Sequence, residues 1–80
     1  MSLWISVHVR NVLPGDIVRV RENAYSGNTG AMHNGRICEV LLVRGGDVVV
    51  KSVDGKHPVL EKTYHSPAVL EKEVLDEIVN

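Results

Sequence analysis

The sequence predicts a mainly β domain: five to six short antiparallel strands with a short helical turn or helix near the C-terminus. Three observations carry this reading. Apolar and polar residues alternate in short runs, turn-forming pairs (Pro14-Gly15, Gly45-Gly46, Asp54-Gly55) separate those runs, and valine dominates the apolar inventory. With no Phe, one Trp and two Tyr in 80 residues, the core must be aliphatic. A chain of this length is expected to form one domain over 1–80, burying only about 60 to 65% of the surface its unfolded form exposes. A large enclosed catalytic cavity is hard to support at that size.

The elements follow in order. Leu3 to Arg10 alternates, with Leu3, Ile5, Val7 and Val9 on one face and Trp4, Ser6, His8 and Arg10 on the other, which predicts a half-buried strand. Leu13-Pro14-Gly15-Asp16 is a turn, because Pro presets φ and Gly is free to adopt a positive value. Ile17 to Arg21 then resumes alternation, placing Val18 and Val20 opposite Arg19 and Arg21. Glu22 to Asn34 is the longest interval without an apolar run, and its Gly and Asn residues suit a loop.

Strand pattern returns at Arg36–Val43, with Gly35 entering it as the residue that lets a strand bend sharply. Gly45-Gly46 predicts a type I′ hairpin turn into Asp47–Val53. Asp54-Gly55 repeats the device before a shorter strand at Val59–Tyr64. Ser66-Pro67 marks a helical start, with Ser as cap and Pro at the first helical position. Residues 71–79 fit two patterns. Leu70, Val74, Leu75 and Ile78 recur at helical spacing, whereas Leu70 to Val74 also reads as a last strand after one helical turn at 66–70.

The formal net charge is −1, unevenly distributed. Residues 1–66 carry eight Lys or Arg against six acids, giving +2, and the acidic segment 67–80 carries Lys72 against Glu71, Glu73, Asp76 and Glu77, giving −3. A mildly basic body suits a nucleic-acid surface, although a committed binder ordinarily carries a larger positive excess.

Gly15-Asp16-Ile17-Val18-Arg19-Val20, a glycine-rich loop, Gly35-Arg36-Ile37-Cys38-Glu39-Val40-Leu41-Leu42-Val43, and then Val48-Val49-Val50-Lys51-Ser52-Val53 together resemble the KOW-type arrangement of small SH3-like barrels. Tyr64-His65-Ser66-Pro67-Ala68-Val69-Leu70-Glu71 is similar to the short helical turn before the last strand of such barrels. The resemblance covers about residues 14–74. It implies an SH3-like barrel over about 3–74, with a ligand groove flanked by the loop from Asn23 to Asn34. Closure or sandwiching is also what short one-sided strands need to hide their edges.

On that placement Tyr25, His33 and Arg36 are candidates for stacking and phosphate contacts. Arg19 and Arg21, extended by Arg44 and Lys51, are candidates for a basic stripe, against which stands a solvated face cross-paired to Glu39 or Glu61. Trp4, His8 and Arg10 are candidate protein contacts, since Trp and Arg are enriched at binding hot spots. The opposing reading has Leu75 or Ile78 covering the indole.

No catalytic or metal constellation emerges. His8, His33, His57 and His65 never fall at the two- or four-residue spacings that set two ligands on one element. Gly55-Lys56 continues with His57, not the Ser or Thr of a phosphate-binding loop. The lone Cys38 lies in an apolar strand, where a buried inert thiol is expected, and it leaves no internal disulfide pair. The expectation is a non-enzymatic binding module without cofactor, cytoplasmic and away from membranes. Its partner is expected to be nucleic acid through the barrel face or, alternatively, a protein in an assembly or accessory role, with a homodimer in view.

Overall fold

The computed structural model describes residues 2–27, 31–53 and 62–75. They form six antiparallel strands in one sheet: β1 (Ser2–Ser6), β2 (Ile17–Val20), β3 (Ile37–Arg44), β4 (Asp47–Ser52), β5 (Thr63–His65) and β6 (Leu70–Leu75). Their order across the sheet is β1-β6-β2-β3-β4-β5. Two 3₁₀ turns, Ala31–His33 and Pro67–Val69, are the helical elements among the described residues. The sheet is open: β1 and β5 are its two edges, and the described ladders do not join them into the closed barrel expected from sequence.

Alternation in the middle strands converts directly into a core. Val18 and Val20 of β2, Cys38 and Val40 of β3, Val48 and Val50 of β4 and Leu70 of β6 are buried together on one face. Val7 and Val12 join them from the connection after β1. The β2–β3 ladder runs past the strand ends, with Gly15 N–H donating to the Val40 carbonyl (2.8 Å) and Gly35 N–H to the Val20 carbonyl (2.9 Å). Within β3 the register shifts between Val40 and Leu42, a bulge that leaves Val48, Val49 and Val50 all buried on the facing strand.

The first strand departs from expectation. Alternation predicted it through Arg10, but it stops at Ser6, and only Val7 of its predicted inner face is buried; Leu3, Ile5 and Val9 are exposed. Asn11 is the physical reason. Its side chain accepts from His8 N–H (2.9 Å) and donates to the Ser6 carbonyl (3.1 Å), while its own N–H donates to the His8 carbonyl (3.0 Å). A side-chain amide that satisfies backbone groups locally competes with a ladder and turns the chain. Nor are β1 and β2 neighbours, although a turn lies between them in sequence: β6 separates them, pairing Leu3 with Val74 on one side and Arg19 with Glu71 on the other.

That double pairing decides the C-terminal ambiguity in favour of a strand over Leu70–Leu75, since a helix there would leave β1 and β2 without their shared neighbour. The Ser66 start is as expected: its hydroxyl accepts from Ala68 N–H (3.4 Å) and Pro67 opens the 3₁₀ turn. The hairpin at Gly45-Gly46 forms between Arg44 and Asp47, but only Gly45 has positive φ (61°). Positive φ at the first central residue alone is the type II′ pattern, not the type I′ expected. The Asp54-Gly55 turn and residues 59–61 of the predicted fifth strand lie outside the described residues, as does Ile78.

Candidate functional site

Three of the candidate residues converge, joined by a fourth that sequence reasoning passed over. Tyr25 is fixed by Asn34, whose side-chain oxygen accepts from Tyr25 N–H (3.1 Å) and whose amide donates to the Tyr25 carbonyl (2.9 Å). This two-bond clasp closes the base of the long loop. The Tyr25 hydroxyl then lies 2.6 Å from His65 Nδ1 on β5, and His33 packs edge-on to both rings, with centroids 5.9 Å from Tyr25 and 5.2 Å from His65. Arg36, at 1% exposure, completes the group by donating from its guanidinium to Ser52 Oγ (3.1 Å) and to the Met32 carbonyl (3.3 Å).

The electrostatics of this cluster follow from burial. His65, 4% exposed, has its pKa lowered to about 4 by loss of solvent, then by His33 and by Arg36. His33 is shifted down by burial and by Arg36, and Tyr25 is shifted up by burial. At neutral pH both imidazoles are therefore neutral and the phenol is protonated. The Tyr25 hydroxyl and His65 Nδ1 share one hydrogen bond, in which the hydroxyl donates or accepts according to which ring nitrogen carries the imidazole proton. The cluster is an interior tie between the long loop and β5. Among the described residues no group of three or more His, Cys, Asp or Glu is close enough to hold a metal ion.

Arg19 and Arg21 are also engaged, by a residue the sequence reading counted only as part of an acidic tail. Glu71 Oε1 accepts from Arg19 Nε (3.2 Å) and Nη2 (2.8 Å), and Oε2 lies 3.4 Å from Arg21 Nη1. Arg21 further donates to Ser6 Oγ (2.9 Å) and to the Ala68 carbonyl (3.3 Å). Of the acidic partners expected across the stripe, Glu39 does face Lys51, at 3.8 Å, and Glu61 lies outside the described residues; the partner of Arg19 and Arg21 is Glu71. Arg19 also covers Trp4, its guanidinium carbon 4.2 Å from the ring centroid. The indole is thus shielded by an arginine. His8 and Arg10 are exposed in the turn after β1, off the strand that carries Trp4, and Arg44 is exposed at the β3–β4 hairpin.

Beside this arginine–glutamate network lies a groove of about 450 Å³ between the turn at 22–24 and the 3₁₀ turn Pro67–Val69. Ala24, Ala68 and Val69 supply small apolar lining, and Arg21, Glu22, Asn23 and Glu71 supply its polar groups. Its two walls are the segments that the Tyr25–His65 contact ties together, since Tyr25 follows Ala24 and His65 shortly precedes Pro67. Glu71 would have been found by register: it stands directly across from Arg19. His65 carried a fainter signal, a polar residue two positions from Thr63 at an inward place on its strand. Comparison with protein-family models, with curated proteins and with solved structures found no match.

Proposed function

We propose that this chain is a non-enzymatic protein-interaction module that takes a segment of a partner protein into the groove between residues 22–24 and the Pro67–Val69 turn. The observation that carries the reading is the disposition of Arg19 and Arg21: both spend their donors on Glu71 and its neighbours, while the groove beside them is open and lined by small side chains. Its volume falls in the range of ligand sites. Glu22, the lining carboxylate outside the Arg19–Arg21–Glu71 network, favours a segment with a basic residue to meet it and small apolar residues to rest on Ala24, Ala68 and Val69.

The strand order β6-β2-β3-β4-β5, with a 3₁₀ turn leading into β6, supports an SH3-like architecture. In such a domain the long loop flanks the ligand groove. Nucleic acid is the competing ligand, and the same cations weigh against it. Arg36 is buried, Arg19 and Arg21 share the one Glu71 carboxylate, and Lys51 faces Glu39, which reduces the cations left to displace counterions.

Peptide-display selection on the immobilised chain, followed by NMR shift mapping of selected peptides, tests this reading beside oligonucleotide titrations at two salt concentrations. Shifts concentrated at Ala24, Ala68 and Val69, abolished by Ala68→Trp, are expected. Salt-sensitive oligonucleotide binding without any peptide response at the groove would overturn it.

A further inference from the structure

The β1 edge is built unlike a protected one. Edge strands ordinarily carry a charge, a proline or a bulge that discourages pairing with another chain. Ser2-Leu3-Trp4-Ile5-Ser6 has none: it contains no charged residue and no Pro, and its pairing to β6 runs without a register shift from Ser2–Leu75 to Ser6–Glu71. No described strand occupies its other side. The opposite edge, β5, is only three residues long. On one face of β1, Leu3 and Ile5 are 48% and 42% exposed. The same face, followed inward along β6, reaches the core through Lys72, which is directly opposite both Ile5 and Val18 and is held by the Asn11 carbonyl (2.6 Å) and Asp16 (3.3 Å). Leu3 and Ile5 therefore extend the inner apolar face past the polar plug that ends it.

We propose that β1 pairs antiparallel with β1 of a second copy of this chain, centred on Trp4, so that two sheets continue into one. The occupant is chosen by the strand itself. Read in either direction from Trp4, the strand presents an aliphatic residue and then a serine. An antiparallel self-pair centred there sets Leu3 against the partner's Ile5, Ile5 against the partner's Leu3, and serine against serine. Charge agrees with this arrangement. The nearest acidic positions opposite β1 are Glu71 and Glu73 on β6. In the joined sheet the two Glu73 carboxylates stand three strand spacings apart, about 14 Å, farther than the ~8 Å screening length at physiological salt. Five facing residue pairs make an interface smaller than the standard class, so a concentration-dependent equilibrium is expected, not a permanent dimer. This inference is independent of the groove.

The test is sedimentation of the wild-type chain over a wide concentration range, with Trp4 fluorescence, from the only Trp, as a second readout. Mass and Trp4 emission are expected to shift together from monomer to dimer. Leu3→Lys and Ile5→Glu each place a charge against an aliphatic residue and should weaken association at least about tenfold. Mixing the two variants should restore a dimer, because the introduced lysine then faces the introduced glutamate at one end while Ile5 faces the partner's Leu3 at the other. Both positions are exposed in the monomer, and circular dichroism checks that each variant is folded. Where one fails to fold, amide exchange of wild-type β1 at low and high concentration replaces it, with slowing at high concentration expected. A wild type that stays monomeric to its solubility limit, a dimer indifferent to both variants, β1 exchange that ignores concentration, or a mixture that does not recover each overturns the proposal.

Discussion

His65 is the residue whose chemistry reaches furthest beyond its size. Its imidazole titrates at about 4 in the folded chain against an ordinary 6.5, because burial, His33 and Arg36 all oppose a second proton. Above pH 6.5 neither the folded nor the unfolded chain is charged at this site, and its contribution to stability is fully present. As pH falls from 6.5 toward 4, the unfolded chain takes up a proton that the folded chain refuses, so stability declines, by on the order of 3 kcal/mol across the window. Urea unfolding of wild type and His65→Asn between pH 7 and pH 4 checks this: the variant should show a flatter profile, and equal slopes would refute the assignment. Tyr25→Phe should cost about 1 to 2 kcal/mol at neutral pH, since it leaves His65 Nδ1 buried without its hydrogen-bond partner. Tyr25, His33 and Arg36 were visible as candidates in the sequence because they flank one loop. His65 was not, because its position depends on which strand closes over that loop, and no local pattern contains that information.

Strands and turns were legible in proportion to how local their causes are. Val18, Val20, Val40, Val48 and Val50 alternate because burial on one face requires it, and each is buried. The end of β1 depended on one side-chain amide, Asn11, capturing backbone groups on both sides of it, an outcome that alternation cannot foretell. The two glycines of the β3–β4 hairpin identified a turn without identifying its type, because a glycine permits positive φ without demanding it. Gly45→Ala should therefore cost about 1 kcal/mol, from the strain of a side chain at φ 61°. Gly46→Ala should be close to neutral: its φ is not positive, and nothing lies within 4 Å of where its Cβ would sit. Thermal unfolding of the two variants distinguishes them, and equal losses would contradict the type II′ assignment. Gly35 belongs with Gly45. A Cβ there would meet only ordinary contact, 3.7 Å from Glu22 Oε1, so its φ of 76°, and not a lack of space for a side chain, is the requirement. Glu71→Ala, which releases both arginines at the β2–β6 boundary, should cost about 1 kcal/mol because the groups are partly solvated. It should also alter Trp4 emission as Arg19 loses its anchor.

At the scale of the whole molecule, five to six antiparallel strands were expected and six are present among the described residues, while their order across the sheet was beyond the sequence pattern. Alternation gives a strand its inner face but not its neighbour, and the insertion of β6 between β1 and β2 rests on pairings between residues far apart in the chain. Among the described residues no helix is long and apolar enough to cross a membrane. Since β1 pairs with one strand only among the described residues, its amides should exchange faster than those of β3 and β4 in dilute solution, by native-state hydrogen exchange. Uniform protection across all six strands would contradict an open sheet.

The place of β6 has a consequence in time as well as in space. As the chain leaves the ribosome, β2, β3 and β4 can pair in the order they emerge, but β1, made first of the six, has no neighbour until β6 is made last. Throughout that interval an uncharged, aliphatic strand waits unpaired beside other nascent chains, the circumstance in which an incomplete fold is most exposed to misassembly. Completion of the sheet is thus coupled to the arrival of its final strand, and a chain halted before β6 would display β1 without its β6 neighbour.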